Sequence, residues 1–223
     1  MTLRRWTILS VILLVPGFVL QFLSRTVFVP EAGVIGGLLL AAGLGARFGG
    51  DKLLYAVEGR PMAAHAIALH GALPYACRIL VTQRRHAALA ALAAEQGFLV
   101  AYNDAPERGI ASSIRAGLAL LAAQDAQPRG LLFGVCDQPY LTRGTLLRLL
   151  DSFDRAPERI VAPCHAGRRG NPVIFPARFL PELGALSGDV GGSAVIRAHP
   201  EALLLVPAED GRELADIDTR PGQ

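Results

Sequence analysis

Apolar and polar positions along residues 34–206 fall into short aliphatic runs separated by Ala-rich stretches of helical length. Residues 34–41 form a continuous apolar run, the pattern of a strand covered on both faces. Further strands are predicted at 78–82, 98–102, 131–136, 159–162, 173–175 and 202–206. Between them, helices are predicted at 61–73, where Pro61 sits in the first turn, at 85–95, closed by Gly97, and at 112–123, opened by serines suited to cap it. Two more follow at 142–153 and 192–198. The polar stretch 103–109 and the break at Asp137-Gln138-Pro139 read as loops. Strands alternating with helices of about 10–15 residues predict a three-layer α/β domain with a mainly parallel sheet. No repeat, linker or low-complexity tract interrupts it, so residues 34–223 are read as one domain.

The first 33 residues differ in kind. Residues 6–24 carry no charge over nineteen positions and follow Arg4 and Arg5. That is just long enough to span a bilayer, with the arginines placing the N-terminus on the cytoplasmic side. The other readings are a signal peptide, for which no small-x-small cleavage site stands out, and an upstream extension from a misassigned start. The chemistry of the body is the same in all three readings; its expected location is the cytoplasm, which it keeps where the segment is a misassigned start.

Composition sharpens this reading. Hydrophobic residues make up 52% of the 223 positions and charged residues 18%, which excludes intrinsic disorder. From Val34 onward 19 basic residues face 18 acidic ones, so net charge gives no reason to expect a nucleic-acid groove. The three cysteines, Cys77, Cys136 and Cys164, are too few and too scattered for a zinc site or a disulfide framework. Of 22 basic residues 21 are arginine, and the one lysine, Lys52, lies in the most motif-like segment.

In open α/β sheets ligands bind at the C-terminal ends of the strands, and three polar segments fall there. Residues 42–52 hold four glycines, which let backbone N–H groups turn toward an anion, with Arg47 and Lys52 supplying charge. A dinucleotide fingerprint starting at Gly43 fails at Phe48, and a Walker A loop starting at Gly45 fails at Asp51. Asp137, straight after a strand, has the placement of a magnesium ligand whose shell substrate phosphates complete; an ordinary turn Asp is the bland alternative. Asp216 and Asp218 share a face by alternation and can converge with Asp137, or else belong to a solvated tail.

Together these segments resemble one family. Residues 40–52, Leu-Ala-Ala-Gly-Leu-Gly-Ala-Arg-Phe-Gly-Gly-Asp-Lys, look like the LAAGxxxRxGxxK signature of the MobA-like nucleotidyltransferases. Five further blocks follow in order: 103–118, Asp137-Gln138-Pro139, 167–175, 188–191 and 216–219. Ala42 and the Gly-Arg-Arg-Gly-Asn-Pro block resemble the cytidylyltransferase (MocA) branch, whereas the guanylyltransferase branch usually has glycine at that Ala. Ile110 replaces a frequent Met, and Asn171 a frequent His.

The resemblance implies a Rossmann-like nucleotidyltransferase that moves CMP from CTP to the terminal phosphate of molybdopterin, releasing pyrophosphate. It implies that Leu40, Ala41, Ala42, Gly43 and Gly45 wrap the nucleotide, with Ser112 and Ser113 near it. Arg47 and Lys52 would neutralise its phosphates, Mg²⁺ would sit between Asp137 and Asp218, and Gly170, Asn171 and Asp189 would face the acceptor. Lys52, Arg47 and Asp137 are the expected catalytic groups. A phosphate acceptor is ionised at neutral pH, so no strong base is required, and among the five histidines only His165 lies in an acceptor-side loop. Open alternatives are GTP as donor, another phosphorylated acceptor, and a non-catalytic protein delivering the cofactor to a molybdenum oxidoreductase. A nicotinamide-dependent oxidoreductase is disfavoured by the failed fingerprint.

Overall fold

The structure, a computed structural model, describes residues 35–43, 48, 51–124 and 127–219. The hydrophobic segment 1–33 lies outside the described residues, as do Gly45 and Arg47. Among the described residues no helix is long and apolar enough to cross a membrane.

The apolar run of the first strand, β1 (Ile35–Ala41), is buried through to both faces: Leu38 and Leu39 are each 0% exposed and point into different cores. A small hairpin follows, β2 (Ala56–Val57) and β3 (Arg60–Pro61), and leads into α1 (Met62–Gly71). Then come β4 (Arg78–Thr82), α2 (Ala87–Glu95), β5 (Leu99–Tyr102), α3 (Ile110–Ala122), β6 (Gly130–Val135) and α4 (Arg143–Arg155). The final third holds β7 (Ile160–His165), β8 (Arg168–Arg169), β9 (Val173–Pro176), α5 (Leu180–Ala185), α6 (Ser193–Ala198) and β10 (Leu203–Pro207). The main sheet runs β10-β7-β9-β6-β1-β4-β5, with β8 added to β7. It is parallel except at β9 and β8, so the expected mainly parallel, three-layer α/β architecture is the observed one.

Helices cover both faces because both faces are apolar. On one side Ile114 and Leu121 of α3, Leu183 of α5 and Ile196 of α6 pack over Leu38, Val81 and Phe175. On the other, Ile67 of α1 and Leu89 of α2 cover Leu39 and Leu80, while Leu146, Leu149 and Phe153 of α4 cover Leu132, Val161 and Ile174. Burial of this kind stabilises by roughly 25 cal/mol per Å² of apolar surface removed from water.

Three short elements depart from the predicted string. The hairpin at 56–61 takes the start of the predicted helix, with Pro61 as the residue before its first turn. The strand predicted at 159–162 runs on to His165 and returns as β8 through Ala166 and Gly167, both at positive φ (47° and 76°). Such a two-residue turn matches strand twist, but Ala is a poor signal for it. Helix α5 lies where no element was predicted, its start carrying Pro181 in a position that tolerates proline.

One polar pair is sealed inside the packing. His70 on α1 is 1% exposed and shares a 2.9 Å hydrogen bond with the Tyr75 hydroxyl. Burial pulls the imidazole down from 6.5 to about 3. The unfolded chain therefore takes up this proton first, so the contribution is complete above 6.5 and is lost as pH falls from 6.5 toward about 3. Urea unfolding across that window should show the native protein losing up to about 1.4 kcal/mol more per pH unit than His70→Leu. Equal slopes for the two proteins would contradict this assignment.

Candidate active site

Strand order fixes where a ligand fits. From β1 the chain steps outward to β4 and β5, then returns to the other side of β1 as β6. The ends of β1 and β6 therefore diverge at a topological switch point, where open α/β sheets form their binding crevice. A cavity of about 780 Å³ opens there. The segment after β1 walls one side through Ala42 and Gly43, and the end of β6 contributes Cys136 and Asp137.

Lys52 stands at the floor, on a short 3-10 turn, Lys52–Leu54, anchored by buried Leu53. Its Nζ donates to Asp137 Oδ2 at 2.8 Å and to Asp218 Oδ1 at 2.7 Å. Asp218 is brought there by the C-terminal segment, which is bound along the end of β6. The Ile217 N–H donates to the Asp137 carbonyl at 3.1 Å, and Gln138 Nε2 to the Leu214 carbonyl at 3.1 Å. Glu213, 2% exposed, locks the segment to the start of α4, accepting from the Thr142 hydroxyl at 2.7 Å and from the backbone N–H groups of Glu209 and Asp210. Against the cost of burying it, these donors hold the Glu213 carboxyl below its ordinary value.

Charge at the site is arranged for an anionic ligand with a cation. Partial burial works against the Lys52 ammonium, but its bonds to Asp137 and Asp218 outweigh that and leave its pKa raised. Although Asp216 faces solvent on one side, desolvation of its carboxyl, then the charges of Asp137 and Asp218, raises it above the usual carboxylate range. Asp137 Oδ1 is buried and without a hydrogen-bond partner. A buried carboxylate oxygen left unpaired costs about 1–3 kcal/mol or more, and a divalent cation at this spot satisfies it. Among the described residues no group of three or more His, Cys, Asp or Glu side chains forms a ready-made metal cage. Two carboxylates plus substrate phosphates are instead the usual magnesium arrangement, so the residues present fit such an ion.

The predicted site residues separate into two groups. Leu40, Ala41, Ala42 and Gly43 line the cavity, and so do Lys52, Asp137 and Asp218. Ser113 and Asp189 face it as well. Ser112 does not: its Oγ lies 2.7 Å from the Gly109 carbonyl and 3.1 Å from that of Ala105, and Asn103 Nδ2 donates to both serines. Ser112 therefore braces the loop that Ser113 looks out from. Gly170 and Asn171 lie outside the lining, with Gly170 packed so closely that an added Cβ would come within 2.9 Å of Leu214. Gly109 has φ +81°, and a Cβ there would stand 2.5 Å from the Gly188 and Asp189 backbone, which is how the 103–109 loop closes onto the Asp189 wall. The histidine singled out in the acceptor-side loop, His165, stands exposed at the end of β7 and is not part of the lining.

Four further residues belong to the site. Gln83, buried at the end of β4, donates to the carbonyls of Ala42 (2.8 Å) and Gly43 (3.4 Å) and so sets the start of the loop. Its signal was available, since it is a polar residue directly after a predicted strand. Asp51 lines the cavity and touches His86 Nε2 at 3.1 Å without the alignment of a hydrogen bond. Arg85 and Arg108 also line it, and as two arginines among 21 they carry no sequence signal.

Comparison with known proteins agrees with this geometry. Residues 37–203 match the MobA-like NTP transferase domain. Nicotine blue oxidoreductase from Paenarthrobacter nicotinovorans is 30% identical over 195 residues, covering 82% of this chain and 91% of the relative. Molybdenum cofactor guanylyltransferase from Cupriavidus metallidurans is 29% identical over 195 residues, covering 83% and 90%. Among solved structures, Rv0371c from Mycobacterium tuberculosis H37Rv superposes with a TM-score of 0.68 at 28% identity, covering 84% of this chain and 94% of that one. The same protein has been crystallised in complex with manganese. With the match running through most of the chain, and the strand order and lysine–carboxylate site in place beneath it, the chain belongs to the MobA-like NTP transferase family.

Proposed function

We propose that this nucleotidyltransferase moves CMP from CTP to the terminal phosphate of molybdopterin, with Mg²⁺ as the working cation. The observation that carries the reading is Lys52 held between Asp137 and Asp218 at the floor of the switch-point cavity. An acceptor phosphate oxygen attacks the α-phosphorus, the new P–O bond forms, and the bond to the β-phosphate breaks with its electron pair leaving on pyrophosphate. Bound between Asp137 and Asp218, the cation would screen negative charge on the reacting phosphates. Lys52 then turns from the carboxylates to the phosphates, as a point charge on a flexible stem can do. The 42–43 wall and its Gln83 brace position the nucleotide, and Ser113 and Asp189 bound the opposite side. Positioning and charge screening carry the rate, which is why no base–nucleophile pair is needed.

Ala42, a cavity-lining residue where the guanylyltransferase branch usually has glycine, supports CTP over GTP through the family resemblance. The guanylyltransferase relatives keep GTP as the second reading. Gly170 and Asn171 are retained as acceptor contacts only outside the cavity lining, and Arg47 and Gly45 as nucleotide contacts.

Two outcomes follow. With molybdenum-loaded molybdopterin and Mg²⁺, pyrophosphate release should occur with CTP and not with GTP, ATP or UTP. Release with GTP alone would replace the donor, and reduction of a dye without pyrophosphate release would replace the reaction. Asp137→Ala should cut transfer by about a thousandfold while its melting temperature stays within a few degrees of the native protein. Retained activity, or unfolding of the variant, would contradict a metal-holding role.

A further inference from the structure

Beside the cleft lie cationic groups that the mechanism leaves unused; Arg169, Ser193 and Arg197 are not themselves among the residues that line the cavity. Arg169 on β8 is half-buried, and its Nη2 donates to Ser193 Oγ, the first residue of α6, at 2.8 Å. Arg197 is four residues beyond Ser193 on α6, so the two share a helix face and Arg197 stands on the side that Arg169 reaches; in keeping with this, desolvation and then the like charge lower the Arg169 pKa. Three arginines of the described residues meet acids, Arg84 with Asp104, Arg148 with Glu209 and Arg155 with Asp151, and others such as Arg78 and Arg159 spend their donors on backbone carbonyls. Among the described residues neither Arg169 nor Arg197 has a carboxylate partner. Two guanidinium groups gathered without an acid are unfavourable until an anion joins them, and paired arginines are the side chains best shaped to take an oxyanion through several donors at once.

The cluster also lies in the right place. β7 is parallel to β10 and, through β9, to β6, so the β7–β8 turn stands on the same sheet edge as Asp137. Ser193 is four residues beyond Asp189, a span of at most about 14 Å of chain, and Asp189 lines the cavity. Between them Gly191 packs on Ile110, another lining residue, with an added Cβ 3.5 Å from its side chain.

We infer that Arg169, Arg197 and Ser193 form a second oxyanion site beside the acceptor end of the cleft. It holds an anionic group of the acceptor remote from the phosphate that attacks. The acceptor class is therefore an elongated molecule with two anionic ends, one at Lys52 and one at the arginine pair. This deepens the transferase reading and rests on it for the identity of the ligand, though not for the existence of the site.

Calorimetric titration of inorganic phosphate into the full chain, saturated with Mg²⁺ and a non-hydrolysable CTP analogue, tests the site without turnover. The native protein should bind phosphate, and Arg169→Gln and Arg197→Gln should each weaken it at least tenfold while analogue affinity stays within twofold. Arg197→Gln should melt no lower than the native protein, because removing one of two like charges relieves repulsion; a clear loss of melting temperature would mark the pair as structural and overturn the inference. So would phosphate binding unchanged in both variants, or none in the native protein. In the transfer assay the same variants should raise the KM for molybdopterin about tenfold with kcat preserved. If no nucleotide yields pyrophosphate, the phosphate titration, repeated without the analogue, still decides the site while the transferase reading fails alone.

Discussion

One ammonium group organises the site. Lys52 joins Asp137, 85 residues along the chain, to Asp218, 166 residues along, and neutralises two carboxylates that would otherwise repel across the same floor. The two bonds are unequal in energy. With Lys52 and Asp137 only 11% and 26% exposed, a charge-assisted bond of this kind contributes on the order of 1.5–3 kcal/mol. Asp218 is 59% exposed, so solvent screening leaves its bond under about 1 kcal/mol. Asp137 is the fixed end of the arrangement and Asp218 the exchangeable one, which suits a floor that must open for a phosphate and a cation and close again.

The rest of the fold serves to hold that floor in register. β1 and β6 are packed on both faces, so their ends are rigid, and the segments that gather around them are tied down by buried polar groups as well as by apolar contact. Gln83 fixes Ala42 and Gly43, Asn103 and Ser112 fix the loop before α3, and Glu213 fixes the segment that delivers Asp218. Each is a buried polar side chain with its partners in place, which is the form in which polarity stabilises an interior and specifies one geometry.

What the sequence disclosed follows from the same physics. Strands buried on both faces announce themselves as aliphatic runs, so the central strands and the placement of Asp137 at a strand end were legible. Asp218 was legible by alternation together with the family resemblance. Ser112 and Ser113 were not separable, because neighbouring helical residues differ by about 100° in direction and only the packing decides which one faces the cavity. The β7–β8 turn was hidden because Ala166 adopts a backbone that glycine or asparagine would have signalled. Arg85, Arg108 and Arg197 were hidden by abundance: in a chain that uses arginine almost throughout, an arginine without an acid partner becomes visible only in three dimensions.

Lys52 is the single lysine of the chain, so a lysine-selective ¹⁵N label gives one side-chain ammonium resonance, and that resonance is the most direct probe of the account. It should shift in Asp137→Ala and Asp218→Ala without ligand, and shift again in the native protein when Mg²⁺ and CTP are added together as Nζ leaves the carboxylates for the phosphates. A resonance unmoved by the two carboxylate substitutions, or by Mg²⁺ and CTP at concentrations that saturate the protein calorimetrically, would contradict it.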